Sequence, residues 1–446
     1  MREVETDLTA RLDTLPWTHF HTKFVLALGI TWVLDAFEVV IVSAVLKPMA
    51  KSLGLTPSQS SLLTSAFLFG AIFGSLLFGY LADRFGRKSL FLITLLLYSG
   101  GTFLTGLSWN FESAFFFRFI SGAGLGGEFA AIQSAIDEFI PARHRGKVDG
   151  TITALWNLGS TLASISAFLL LKSLEESTAW RVAYLFGGAL AILVVFIRLY
   201  VPESPRWLLS RGKFEKAERI VKSIEEKINT KPDVKPRNVI VFEGNILDAT
   251  KIILKRYRWR FLFSAMMSFT ILTTYYGMIT LLPVILSEVY NLSSSEIPKV
   301  LLFGSVGGLI GGLIVASFVD KVGRIPLGLT ISALSAILSL GFAFGFKLEL
   351  WFFIYALIAF SFASVGYVIA TEIYPSFLRA YAIGLLSIIG RVSGALAPPF
   401  MVQVSTIDYR FGIFTLCAFW LVGFIAFLVW SLKGKETKGV PLEEMQ

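Results

Sequence analysis

Four charged residues stand where a charge is hardest to keep. Asp35 and Glu38 fall inside an apolar stretch at about residues 24–46, Arg118 inside one at 111–135 and Arg391 inside one at 381–404. If these stretches cross a membrane, each charge costs about 2.5–3.5 kcal/mol on insertion scales unless a counter-charge or a wet cavity meets it. Asp35 and Glu38 are three positions apart, so a helix puts both carboxylates on one face. A carboxylate about 4 Å from a guanidinium gains about 4 kcal/mol at an effective dielectric near 20. Protonating the carboxylate removes that attraction and releases the guanidinium. Glu38 or Asp35 facing Arg118 is therefore a pair that can tie a proton to a change of shape, with Glu38 the favoured carboxylate. The plainer reading is a fixed ion pair that only sets packing. Arg391 carries a planar fork of donors that fits a carboxylate, which makes it the candidate anchor for an organic acid.

Other residues are suited to lining a cavity around these charges. One stretch reads Phe269-Thr270-Ile271-Leu272-Thr273-Thr274-Tyr275-Tyr276-Gly277-Met278. Its tyrosine pair offers aromatic faces with a polar edge, against the alternative of interfacial packing. Gln133, Trp156 and Tyr367 are further cavity candidates. Neither metal nor cofactor chemistry is expected. His19, His21 and His144 do not cluster, Cys417 is alone, and the sequence has no GxxxxGK[ST] loop. Gly122 to Gly127 reads GxGxxG, but inside an apolar helix with no strand before it, so close helix contact explains it better than a nucleotide.

The elements that must hold these residues are long and apolar. Of 446 residues, 55% are hydrophobic and 16% charged, with a mean hydropathy of +0.70, whereas soluble domains carry about 25% charged residues. That excludes a soluble enzyme, a nucleic-acid binder and a disordered chain. Apolar stretches recur at about 24–46, 61–82, 89–107, 111–135, 150–171 and 180–201. They resume at 261–286, 300–319, 326–345, 350–371, 381–404 and 411–432. Each approaches the roughly 20 residues that span a bilayer as a helix, and they are too continuous for barrel strands. The fold class is therefore all-α integral membrane, with twelve transmembrane helices.

Lys and Arg crowd into alternate loops, among them Arg84, Arg87, Lys88, Arg143, Arg145, Lys321, Arg324, Arg379 and Lys433, and into residues 202–260. The positive-inside rule puts both termini in the cytoplasm. The net charge of +9 then belongs to topology and anionic headgroups. The N-terminal residues show no small-residue cleavage site, so the first stretch is expected to stay as a span. Residues 202–260 are charge-rich, with apolar Leu208, Leu209, Ile220, Val221 and Ile224 at helical spacing, and are expected to form amphipathic helices.

The chain also repeats itself. Asp83-Arg84-Phe85-Gly86-Arg87 after span 2 returns as Asp320-Lys321-Val322-Gly323-Arg324 after span 8. Glu138, Pro141 and Arg145 after span 4 return, at nearly the same separation, as Glu372, Pro375 and Arg379 after span 10. Two duplicated halves follow, 1–201 and 261–446, joined by the 202–260 linker. Transporters built from repeats bind substrate near the midplane, where the repeats meet. By the same separation Asn157 is the first-half counterpart of Arg391.

The loop motif around Asp83 resembles the signature of the major facilitator superfamily. Three further segments narrow the likeness: Arg118-Phe119-Ile120-Ser121-Gly122-Ala123-Gly124-Leu125-Gly126-Gly127-Glu128, Pro202-Glu203-Ser204-Pro205-Arg206-Trp207, and the tail Glu436-Thr437-Lys438-Gly439. They point to the branch shared by sugar porters, organic-ion transporters and aromatic-acid or niacin proton symporters. Lys435 stands where a proline usually leads the tail motif. The resemblance implies two pseudo-symmetric six-helix halves, alternating access, a small-molecule substrate, no cofactor, and a functional monomer in the cell membrane. It implies that the acidic residue of span 1 takes the proton and thereby frees Arg118, its partner, and that Arg391 meets an organic anion. It also implies that Asp83, Arg87, Glu138, Arg145, Glu203, Arg206, Asp320, Arg324, Glu372 and Arg379 form gating pairs at cytoplasmic helix ends. Sugar porters add a glutamine pair and an asparagine upstream of the tyrosines, where this chain has apolar residues and threonines. The expectation is a proton-coupled symporter of a small organic acid, aromatic acids included; a sugar or polyol porter and an organic-cation or drug transporter are the alternatives.

Overall fold

The computed structural model describes residues 2–85, 87–140, 145–198, 205, 208, 213–228, 234, 237–241, 246–293, 296–344, 347–374 and 376–437. Nearly all of it is helix. The first half holds α2 (His19–Leu53), α3 (Pro57–Phe85), α4 (Arg87–Thr105), α5 (Phe111–Phe139), α6 (Arg145–Ser173) and α7 (Glu176–Arg198). The second holds α10 (Arg258–Glu288), α11 (Ile297–Val322), α12 (Arg324–Leu340), α13 (Leu348–Ala359) with α14 (Phe362–Glu372), α15 (Ser376–Ser405) and α16 (Tyr409–Lys433). With α13 and α14 counted as one crossing, this is the twelve-helix arrangement of two six-helix halves. Nine of the crossings are long and apolar enough to span a bilayer on their described residues alone.

Most helices extend a few residues beyond the apolar stretches, because the polar ends continue the same backbone ladder. The tenth span is instead divided. At Phe360 and Ser361 the helix breaks, and Ser361 Oγ donates to the carbonyls of Leu357 (3.2 Å) and Ile358 (2.7 Å), the local bonding by which serine competes with a helix.

Small residues set the closest packing. A Cβ built on Gly122 of α5 would overlap the Phe67 carbonyl of α3, and one on Gly74 of α3 would overlap the Ala123 carbonyl of α5. The glycine-rich run of α5 is thus a helix-contact seam, as GxxxG-type spacing permits in a membrane. The halves meet along α3 with α15 and along α6 with α11.

The connecting segments form a cap on one side of the bundle, termed here the linker side. Strand β1 (Arg2–Thr6) pairs antiparallel with β2 (Arg237–Val241), Val4 opposite Val239. In the same cap α1 (Leu8–Thr14) contacts α8 (Phe214–Ile228), while α9 (Ile246–Arg256) leads into α10. Ala217, Val221 and Ile224, at helical spacing on α8, pack with Leu8, Leu15, Ile140, Val148 and Ile152 beneath the first half. Buried Arg11 donates through Nε to Glu225 (2.7 Å) and through Nη1 to Glu218 (3.2 Å). The bond to Glu225 raises the guanidinium pKa, so its charge is secure.

Candidate functional site

A cavity of about 170 Å³ lies between the halves. Its walls come from α2 (Trp32, Asp35), α6 (Trp156, Asn157), α10 (Tyr275, Tyr276), the break after α13 (Phe360), α14 (Tyr367) and α15 (Arg391). An apolar cavity of about 150 Å³ accommodates a benzene, so this one takes a single ring with small substituents.

The aromatic walls hold each other in place. Trp156 packs edge-on against Trp32 (5.4 Å between centroids) and Tyr275 (6.0 Å), and its Nε1 donates to the Tyr275 hydroxyl at 2.7 Å. Tyr275 in turn meets Tyr276 (5.4 Å) and Phe360 (5.7 Å). Such aromatic pairs contribute about 0.5–1.5 kcal/mol each beyond burial.

Arg391 is 7% exposed. Its Nη1 donates to the hydroxyl of Ser75 on α3, across the boundary between halves, and Tyr276 and Tyr367 stand beside it. Glu372 is engaged elsewhere, by Arg324. Asn157 is also buried, and its Oδ1 makes no hydrogen bond among the described residues.

The second constellation lies deeper. Arg118 Nη1 and Glu38 Oε1 are 3.3 Å apart, each side chain 2% exposed. Glu38 therefore faces Arg118 directly, whereas Asp35, one turn nearer the linker side, lines the cavity. The Thr102 hydroxyl and Ser121 Oγ (2.7 Å) donate to the same Oε1, and the Arg118 guanidinium sits 4.3 Å over the Phe67 ring. The sequence reading passed over Thr102 and Ser121. Ser121 was detectable, being three positions after Arg118 on the same helical face; Thr102, on another helix, was not.

Three further hydrogen bonds between the halves lie on the side opposite the linker. Ser43 Oγ donates to the Ile279 carbonyl (2.5 Å), Ser65 Oγ to that of Ala395 (2.6 Å), and Thr161 Oγ1 lies 3.1 Å from Ser305 Oγ.

On the linker side Arg324 makes a two-pronged pair with Glu372, Nη2 to Oε1 at 2.8 Å and Nε to Oε2 at 3.1 Å. The Thr437 hydroxyl donates to the same carboxylate at 2.5 Å. The Glu436 carboxylate accepts from the backbone N–H groups of Arg324 and Ile325, both at 2.9 Å, an anion on the positive end of α12. Gly323 sits at φ 105° to make that turn. The side chains of Gln133, Asp83, Arg87, Glu138, Arg145, Asp320 and Arg379 lie outside the described residues, as do Glu203 and Arg206 altogether. No cluster of three His, Cys, Asp or Glu able to hold a metal occurs among the described residues.

Twelve spanning helices in two halves around a central cavity define a secondary transporter of the major facilitator superfamily, not an enzyme. A family model described as "Sugar (and other) transporter" matches residues 31–446, and the chain belongs to that family. It is 30% identical to the niacin transporter NiaP of Acinetobacter baylyi, over 98% of this chain and 99% of that protein. It is 26% identical to the inner membrane metabolite transport protein YdjE of Escherichia coli, over 98% and 97%. Among solved structures, the partially occluded inward-open xylose transporter XylE of E. coli superposes with a TM-score of 0.73 at 21% identity, covering 95% of this chain and all of that one. The proton:xylose symporter XylE bound to 6-bromo-6-deoxy-D-glucose gives 0.71, also at 21% identity, over 95% and 98%.

Proposed function

We propose that the chain is a proton-coupled symporter of a small aromatic carboxylic acid, working by alternating access in the cell membrane as a monomer. The observation that carries this reading is Arg391, a buried cation in a one-ring cavity whose walls are Trp32, Trp156, Tyr275, Tyr276 and Phe360. The similarity to a niacin transporter over nearly the full length supports the same substrate class. In this scheme the substrate carboxylate replaces the Ser75 hydroxyl on Arg391, and its ring stacks on the aromatic walls. Asn157 meets a donor on the opposite edge of the substrate. Protonation of Glu38 weakens its hold on Arg118, and the halves rock about the cavity. Residues 1–201 and 261–446 are the moving units, 202–260 their linker, and the linker side is cytoplasmic because it carries most of the lysine and arginine. The Arg324–Glu372 pair belongs to the cytoplasmic gate.

The test is uptake into proteoliposomes of labelled nicotinate, benzoate, glucose and a quaternary amine, with and without an inward proton gradient. Gradient-stimulated uptake of the aromatic acids alone is expected. Gradient-independent movement of glucose, or transport of the amine in place of the acids, would overturn the reading.

A further inference from the structure

The ion pair of Glu38 and Arg118 leaves one atom of each partner unused. Arg118 Nη1, Thr102 and Ser121 all converge on Glu38 Oε1, whereas Glu38 Oε2 and Arg118 Nε are buried with no hydrogen-bond partner among the described residues. Buried polar groups in folded proteins are nearly always met by protein or by ordered water.

Beyond Arg118, away from the linker side, lies a second cavity of about 10 Å³. Its polar lining is Ser43 of α2, Thr64 of α3, Arg118 of α5, and Tyr276 and Thr280 of α10. That volume is about what one water needs, provided two to four polar partners surround it. Arg118, a lining residue, has an unpartnered Nε–H to donate, and the three aliphatic hydroxyls can donate and accept. Of the residues described, Tyr276 alone lines both this cavity and the large one. Glu38 stands one helical turn from Val42, which lines the small cavity.

We propose that the small cavity is a binding site for a single water, held by Arg118 Nε and the hydroxyls of Ser43, Thr64 and Thr280. This water is the last hydrated station on the route by which protons reach Glu38 from the side opposite the linker. The proposal rests on the proton-coupled reading above. A hydronium at this station gives one proton to the Glu38 carboxylate, which becomes neutral, and the oxygen remains as water. Arg118 stays charged throughout, since guanidinium does not deprotonate in proteins. Proton and substrate thereby use separate chambers, with Tyr276 between them, so a filled substrate cavity does not block the proton. The groups around Glu38 are Arg118 from α5, Tyr98 from α4, Tyr184 from α7 and Asp35 one turn along α2, with Tyr276 of α10 beside Arg118.

The experiment compares wild type with Thr64→Val, Thr280→Val and the double variant, which remove hydroxyls at nearly constant volume and do not line the substrate cavity. In proteoliposomes with labelled nicotinate and an internal pH dye, the double variant is expected to keep nicotinate affinity at fixed pH within about twofold. It is also expected to keep wild-type exchange without net proton movement, while gradient-driven uptake slows at least fivefold and its pH profile shifts. Asp35→Asn serves as the control for the neighbouring carboxylate. Wild-type gradient-driven uptake in the double variant would overturn the proposal. If wild type shows no gradient stimulation, the coupling reading itself fails. Experimental density for the wild-type protein then decides the water site alone: a peak within hydrogen-bond distance of Arg118 Nε supports it, and a dry cavity overturns it.

Discussion

Ser75 and Arg391 belong to opposite halves, and a hydrogen bond from the guanidinium to the serine hydroxyl joins them at the wall of the cavity. The Ser75 hydroxyl also lies within bonding distance of the Ala71 (2.7 Å) and Gly126 (3.0 Å) carbonyls, so it ties Arg391 to the α3–α5 seam. A carboxylate is a better partner for a guanidinium than a neutral hydroxyl, and substrate binding at Arg391 would undo a bond between halves.

Ser75→Ala is accordingly expected to tighten binding of aromatic carboxylates. Hydrogen bonds to charged groups contribute about 1.5–3 kcal/mol net, so affinity should rise about tenfold, read by calorimetry with nicotinate. Arg391→Lys keeps the charge but loses the fork, and should weaken the same binding by at least about tenfold. Unchanged affinity in both variants would remove Arg391 from the substrate site.

Glu38→Gln keeps the shape of the side chain and abolishes its titration. Uptake driven by an inward proton gradient should be lost, while exchange of labelled for unlabelled nicotinate persists. Asp35→Asn should retain gradient stimulation, because Asp35 lines the cavity whereas Glu38 is the carboxylate against Arg118. Reversed results in the two variants would reassign the proton.

Gly122→Ala places a methyl group against the Phe67 carbonyl, and backbone cannot swing aside. Overpacking of this kind costs about 1–3 kcal/mol, to be seen as a lower melting temperature in detergent. Gly100→Ala on α4, where a Cβ meets nothing within 4 Å, should leave stability equal or higher by up to about 1 kcal/mol.

Arg11→Ala leaves Glu225, 6% exposed, buried without its cation. Removing one partner of a buried pair costs about 3–5 kcal/mol, here charged against the docking of α8 and α1. Limited trypsin digestion should cut the linker faster in the variant. A cleavage rate equal to wild type would show that the apolar face of α8 suffices.

Much of the architecture could be read from residue order. Hydrophobic length marked the twelve crossings, because a backbone in lipid must satisfy its own hydrogen bonds and a helix needs about 20 residues to cross. The repeated loop motifs marked the two halves, and Arg118, Glu38 and Arg391 stood out because buried charges are scarce in apolar helices. The break at Phe360 and Ser361 escaped, since no proline or charge signals it and one serine hydroxyl makes the competing bonds. The pairing of β1 with β2 escaped too, as two five-residue strands so far apart carry no local sign of each other.

The chain by itself therefore determined the class of fold, the spanning helices and which charges within the spans would be buried, all consequences of local hydropathy and spacing. Only the tertiary structure decided partners. It set Glu38 and not Asp35 against Arg118, bound Glu372 to Arg324 and Thr437, and joined Arg391 to Ser75 across the halves. Residues three positions apart on one helix share a face but not a neighbour, and which neighbour each meets depends on helix crossing and rotation, which glycine contacts such as Gly122 on Phe67 set from a distance.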